Sequence, residues 1–220
     1  MSAPFRVLVV CTGNVCRSAY GERRLRSALA DLAVRTDRLD WAAHVGVASA
    51  GIDPLLGEPM DGLMAEVLAE RGADPHGHVA RGLDAETVAS ADLVLAASRA
   101  HRSEVVRRLP RASRRVFALP EFARLLEDAE RSGTLAGAPA ELGAVETLRF
   151  AVDAAADRRG FAPPPDDPAA DDVVDPYRRS RSVHEQAAVQ LDDALGRIVG
   201  VLERVGTGPA LGAASAGGAS

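Results

Sequence analysis

Val7-Leu8-Val9-Val10 is a short run of apolar, mostly β-branched residues, the pattern of a strand covered on both faces in a parallel sheet. Leu25, Ala28, Leu29 and Leu32 then fall at helical spacing. The chain continues in alternation. Residues 44–48 read as a second strand ending in Ser49-Ala50-Gly51, and Leu63, Val67 and Leu68 mark a helix that Gly72 stops. Residues 92–97 form a third strand candidate, 99–109 a helix closed by Pro110, and 115–119 a fourth strand. From 121 to 158 the pattern is helical and alanine-rich, interrupted around 132–139. A proline- and aspartate-rich stretch from Pro163 to Asp175 predicts a loop. The last helix begins near Ser180 or Ser182 and places Val183, Ala187, Leu191, Leu195, Ile198 and Leu202 on one face.

Strands alternating with helices predict an α/β fold: a doubly wound, three-layer arrangement around a central parallel sheet of about four strands. The reading gives one domain over 1–205 with an extended helical and loop insertion at about 121–171. A tail at 206–220, made mainly of glycine, alanine and serine, is expected to be flexible.

The chemistry concentrates where the first strand meets the first helix, in Cys11-Thr12-Gly13-Asn14-Val15-Cys16-Arg17-Ser18. Gly13 and Asn14 tolerate positive φ. A tight loop that ends on a helix N-terminus offers backbone N–H groups and the positive end of the helix dipole to an anion. Arg17 adds a planar fork able to grip two oxygens. In such a field a cysteine ionises more easily than usual, which makes Cys11 a candidate nucleophile, with Ser18 able to donate to its sulfur. The chain has no lysine, one asparagine and two cysteines, and the asparagine and both cysteines lie within residues 11–16. Rare residue types gathered on one loop point to retained chemistry.

A net charge of −5 argues against a nucleic-acid partner, whose footprint is a basic face. No run reaches the roughly 18 apolar residues of a membrane span, and the first residues lack a signal-peptide pattern, so a cytoplasmic protein without membrane partners is expected. Oligomeric state is left open. Two cysteines on one loop would staple little of the chain, which favours a reduced, reactive role.

These residues resemble the low-molecular-weight protein tyrosine phosphatase family, whose signature is Cys, five residues, Arg, Ser at the end of the first strand. Val174-Asp175-Pro176-Tyr177, just before the last helix, matches the family's late Asp-Pro pair. Ser49-Ala50-Gly51 and His78-Val79-Ala80-Arg81 are similar to two further family segments. The resemblance implies metal-independent, cofactor-free hydrolysis of a phosphorylated protein or small aryl phosphate, most simply phosphotyrosine. By the same resemblance Cys11, Arg17 and Asp175 are catalytic, with Asp175 as general acid. Thr12, Gly13, Asn14, Val15, Cys16, Arg17 and Ser18 bind phosphate, and Ser49 and His78 hold Asn14.

Ala19 departs from the proline common after the loop serine. Leu55 and Leu56 stand near where an aromatic is often found. Three other readings remain. A protein arginine phosphatase shares the loop but carries threonine where this chain has Val15. An arsenate reductase of the same fold needs relay cysteines, and none follows Cys16. The third is a binding module without turnover.

Cys16 is a candidate redox partner of Cys11, or a small buried apolar residue. Tyr177 either walls the site or caps the core. His44, His76, His101 and His184 show no metal-ligand spacing and read as surface or helix-face residues.

Overall fold

The computed structural model describes residues 4–137 and 142–206. From residue 207 on, the expected tail lies outside the described residues, as does Pro139 within the expected helix interruption. In chain order the elements are β1 (Phe5–Cys11), α1 (Arg17–Arg35), α2 (Asp40–Ala43), β2 (Val45–Gly51), α3 (Gly62–Glu70) and α4 (Ala85–Ser90). They continue with β3 (Leu93–Ala96), α5 (Arg99–Arg108), β4 (Val116–Ala118), α6 (Leu119–Arg131), α7 (Ala144–Asp157) and α8 (Arg181–Gly206).

All strand pairs are parallel, in the order β2-β1-β3-β4. Successive residues of a strand point to opposite faces, and both faces are covered. Val7, Val9, Leu93, Leu95 and Phe117 pack with α1, α3, α6, α7 and α8. Leu8, Val10, Val94 and Val116 pack with Val88 of α4 and Val105 of α5. The expected doubly wound, three-layer α/β architecture is therefore what forms. Winding reverses between β1 and β3, and at such a switch point the carboxyl ends of the strands leave a crevice for ligands. Cys11 closes β1 there.

Two differences from the sequence reading have local causes. The fourth strand stops at Ala118 because Leu119 opens α6: Glu121 takes the Ala118 N–H at 2.9 Å, and Pro120 suits the first helical turn. Within the acidic loop, Pro168–Asp171 coils into a 3₁₀ turn, with Asp167 accepting from Ala169 N at 2.9 Å. The short helices α2 and α4 left no clear apolar period to read.

The stretch after residue 120 is part of the core. Phe122, Leu125 and Leu126 of α6 and Leu148 and Ala151 of α7 are buried in the same cluster as β1 and α8. Asp40 of α2 holds the start of α7 by accepting from Ala144 N at 2.6 Å. Arg38 reaches the carbonyls of Leu142 and Gly206, at 2.6 and 2.7 Å. No helix among the described residues is long and apolar enough to cross a membrane.

Gly51 ends β2 directly against the loop that follows β1. A Cβ there would collide with the Thr12 carbonyl oxygen and lie 3.1 Å from Asn14 Cβ, with backbone on one side and a tethered side chain on the other. Replacement Gly51→Ala should therefore cost about 1–3 kcal/mol, the usual penalty of overpacking, read as a lower urea midpoint. An unchanged midpoint would show that the loop yields freely.

Candidate functional site

From Cys11 to Cys16 every carbonyl is held by a hydrogen bond, five by segments outside the loop and the last by the first turn of α1. The oxygen of Cys11 accepts from Ile52 N at 2.9 Å, that of Thr12 from Asp53 N at 3.1 Å, and that of Gly13 from Leu55 N at 3.0 Å. Asn14 O accepts from His78 Nε2 at 2.6 Å, Val15 O from Asp61 N at 2.9 Å, and Cys16 O from Tyr20 N at 2.8 Å. A trans peptide is planar, with each C=O opposed to the next N–H. Six carbonyls held in this way turn the amides of residues 12–17 to the opposite side, into one concavity. α1 begins at Arg17 with no side-chain cap, which leaves its first amides open to the same space.

Asn14 makes this path feasible. It holds φ +56°, in the left-handed region that asparagine tolerates, whereas Gly13 stays outside that region. The expectation of positive φ thus holds for only one of the two residues. Asn14 is fully buried. Its Nδ2 donates to both Ser18 Oγ and Ser49 Oγ, each at 2.9 Å, and its Oδ1 accepts from Arg81 N at 2.9 Å. Because both hydroxyls accept from Asn14, their protons point onward. Ser49 donates to the buried carboxylate of Glu22 at 2.6 Å. Ser18 directs its proton to Cys11 Sγ at 2.8 Å. His78 is buried, and burial pushes its imidazole below the ordinary range, partly opposed by the bond to Asn14.

Arg17 and Asp175 meet over this concavity. The Arg17 side chain is buried, its NH1 donates to Val173 O at 3.2 Å, and its NH2 lies 3.0 Å from Asp175 Oδ1. Its Nε has no partner among the described residues. Asp175 is 56 % exposed, so its carboxyl faces the opening. The loop carrying it is anchored on several sides: Val173 N donates to Ala97 O at 2.8 Å, Arg99 pairs with Asp172 at 2.8 Å, and Arg124 of α6 pairs with Asp171 at 2.9 Å.

A cleft with about 530 Å³ of empty space opens here, floored by Cys11, Arg17 and the loop and walled by Val15, Asp53, Leu55, Asp175 and Tyr177. Thr12, Gly13 and Cys16 also line it. The structure thus brings Cys11, Arg17, Asp175 and Tyr177 to one opening and sets Asn14, Ser18, Ser49 and His78 beneath it. Asp53 and Leu55 were not singled out as wall residues by the sequence, because their position depends on the chain bending back after Gly51 to hydrogen-bond the loop.

Two histidines correct the sequence reading. His101 is buried, not on the surface: Nε2 and Thr12 Oγ1 share a 2.9 Å hydrogen bond, and Nδ1 and Ser98 Oγ share one of 2.6 Å. Ser98 caps α5 directly after β3, and that cap was the available signal, since it aims the residue three positions on at the carboxyl edge. His184 is also buried, with Cys16 and Asp61 beside it. Burial, then the charges of Asp61, Cys11 and Asp175, push the Cys16 thiol up against the pull of Arg17. A thiol held protonated is a poor attacker on an oxidised Cys11, which weighs against its role as redox partner.

Burial first, then Arg17, pushes His101 down to about 4. A histidine depressed on folding adds stability above its ordinary value near 6.5 and loses it as pH falls from there through about 4. Its ring resonances should therefore stay unchanged between pH 8 and about 5.5. A midpoint near 6.5 would contradict the buried contact with Thr12.

The sequence pattern of the family described as low molecular weight phosphotyrosine protein phosphatase matches residues 6–132. The chain is 40% identical over 99 residues to the low molecular weight protein-tyrosine-phosphatase Etp of Escherichia coli K12. That alignment covers 45% of this chain and 58% of the relative, so the chain spans little more than half of Etp. It is 38% identical over 116 residues to the probable low molecular weight protein-tyrosine-phosphatase EpsP of Ralstonia solanacearum, covering 53% and 71%. Among solved structures, the Erwinia amylovora tyrosine phosphatase AmsI superposes with a TM-score of 0.59 at 23% identity, covering 90% of this chain and 93% of that one. The YwlE arginine phosphatase of Geobacillus stearothermophilus gives 0.55 at 23% identity, covering 90% and 92%. At that identity both structures speak for the fold alone.

Proposed function

The chain belongs to the low molecular weight phosphotyrosine protein phosphatase family, and from that premise we propose that it hydrolyses phosphate monoesters through a covalent intermediate on Cys11. The observation that carries the proposal is the ring of six hydrogen-bonded carbonyls from Cys11 to Cys16, which opposes six amides to the nucleophile's side of the loop. A phosphate dianion seated there is held by those amides and by the Arg17 guanidinium. Cys11 Sγ attacks phosphorus as the ester oxygen leaves, and Asp175 gives that oxygen its proton. The products of this step are the free alcohol or phenol and a cysteinyl-phosphate. Water then attacks the same phosphorus, Asp175 takes a proton from it, and Cys11 leaves as a thiolate steadied by the Ser18 hydroxyl.

The leaving group we assign is aromatic, with phosphotyrosine on a protein as the substrate class. Val15, Leu55 and Tyr177 give the cleft apolar lining, which suits a flat ring. We further propose one domain over 1–205, with 121–171 as an elaboration of its core. A catalytic thiol needs reducing surroundings, so we place the protein in the cytoplasm.

The test is a pair of variants assayed with aryl phosphates. Cys11→Ser should abolish turnover while inorganic phosphate still binds, because only the nucleophile is lost. Asp175→Asn should slow esters of poor leaving groups by about 10²- to 10⁴-fold and activated esters much less. Substantial turnover by Cys11→Ser, or equal losses on both ester types, would overturn the proposal.

A further inference from the structure

Where the phosphate loop meets α1, three side chains form a cluster whose side-chain groups the hydrolytic chemistry does not use. Cys16 stands at the residue before α1, Asp61 caps α3, and His184 stands in the first turn of α8. Their Sγ, carboxylate oxygen and imidazole nitrogen all lie within 4.8 Å of one another. Cys16 and His184 are 3% and 1% exposed.

His184 gives the cluster its direction. Its Nδ1 donates to Ser180 O at 3.0 Å, which turns Nε2 towards the other two groups. That Nε2 faces Asp61 Oδ1 at 3.0 Å, yet it is buried with no hydrogen-bond partner among the described residues. The approach of Nε2 to a carboxylate oxygen calls for a positive charge between them, either a second ring proton or a bound metal ion.

We propose that Cys16, Asp61 and His184 bind one divalent transition-metal ion of the zinc type. Thiolate, imidazole and carboxylate together are the donor set that zinc prefers over harder cations, and three protein ligands leave a fourth position for water. Metal–ligand bonds of about 2.0–2.3 Å set tetrahedral ligands about 3.3–3.8 Å apart, so the three donors need only small adjustments. The Ser180 carbonyl on Nδ1 is the outer contact that ordinarily orients a metal-bound histidine. Asp61 Oδ1 is itself steadied by Met64 N at 3.1 Å, and it is 24% exposed, which gives the ion a way in. Binding replaces the thiol proton of Cys16, so one proton leaves for each ion bound. The ion would join the starts of α1, α3 and α8 under the loop and would take no part in phosphoryl transfer.

The experiment uses the full chain carrying Cys11→Ser, which removes the other thiol of the loop, and it reads no turnover, so it stands apart from the hydrolytic proposal. Titration with Co²⁺ should give one equivalent with thiolate-to-cobalt absorption in the near ultraviolet and tetrahedral bands in the visible, both displaced by Zn²⁺. Adding His184→Gln or Asp61→Asn should weaken Co²⁺ by about tenfold or more. Zn²⁺ should raise the melting temperature of the Cys11→Ser chain and not that of the His184→Gln chain. Far-ultraviolet dichroism of each metal-free variant checks that it folds. Absence of the thiolate band, or a band whose affinity neither substitution changes, would overturn the site.

Discussion

Asn14 is the constraint on which the site depends. A loop whose amides all turn one way must turn all its carbonyls the other way, and that path requires a left-handed residue near its middle. Asn14 supplies that conformation at φ +56° and fixes it with bonds from its side chain to Ser18, Ser49 and Arg81. Since both amide protons are donated to hydroxyls, the polarity of the chain is set from end to end. The carboxylate of Glu22 draws the Ser49 proton at one end, and the Ser18 proton is left for Cys11 at the other. One buried amide thus shapes the cradle and orders the contact to Cys11.

The rest of the fold serves that arrangement. The parallel order β2-β1-β3-β4 puts the end of β1 at the switch point, with the residues after β2 close enough to bond the loop carbonyls. Only glycine fits at position 51, because the loop backbone passes where a Cβ would stand. On the other side, the chain after β4 does more than enlarge the core. Arg124 of α6 grips Asp171, Arg99 of α5 grips Asp172, and Gln190 of α8 accepts from Val174 N at 2.9 Å. An exposed, proline-rich loop is thereby held so that Asp175 meets Arg17, which limits the entropy lost when substrate binds.

Much of this was legible in the chain. The apolar run ending in Cys11 and the spacing to Arg17 and Ser18 mark the loop, because strand, turn and helix signals are local, whereas Asp175 became the candidate acid through the resemblance of its Asp-Pro pair. Ser49 and His78 were legible only through resemblance, since nothing near them in sequence says that they meet Asn14. His101 and His184 were misread for the same reason. Each sits on a helix whose own pattern resembles a surface face, and each is buried by residues distant in the chain, Thr12 for one and Cys16 with Asp61 for the other. Long-range packing of this kind leaves no periodic trace.

The central claim is that the cradle is preformed by Asn14 and does not depend on the substrate to assemble it. The most direct measurement is the affinity for tungstate, a tetrahedral oxyanion, of wild type and of Asn14→Ala, with folding of both followed by dichroism. Alanine loses the side-chain bonds and resists the left-handed backbone, by about 1–2 kcal/mol for the conformation alone. A folded Asn14→Ala that binds tungstate at least about tenfold more weakly, equivalent to about 1.4 kcal/mol, is the outcome the account predicts. A folded variant with wild-type affinity would contradict it.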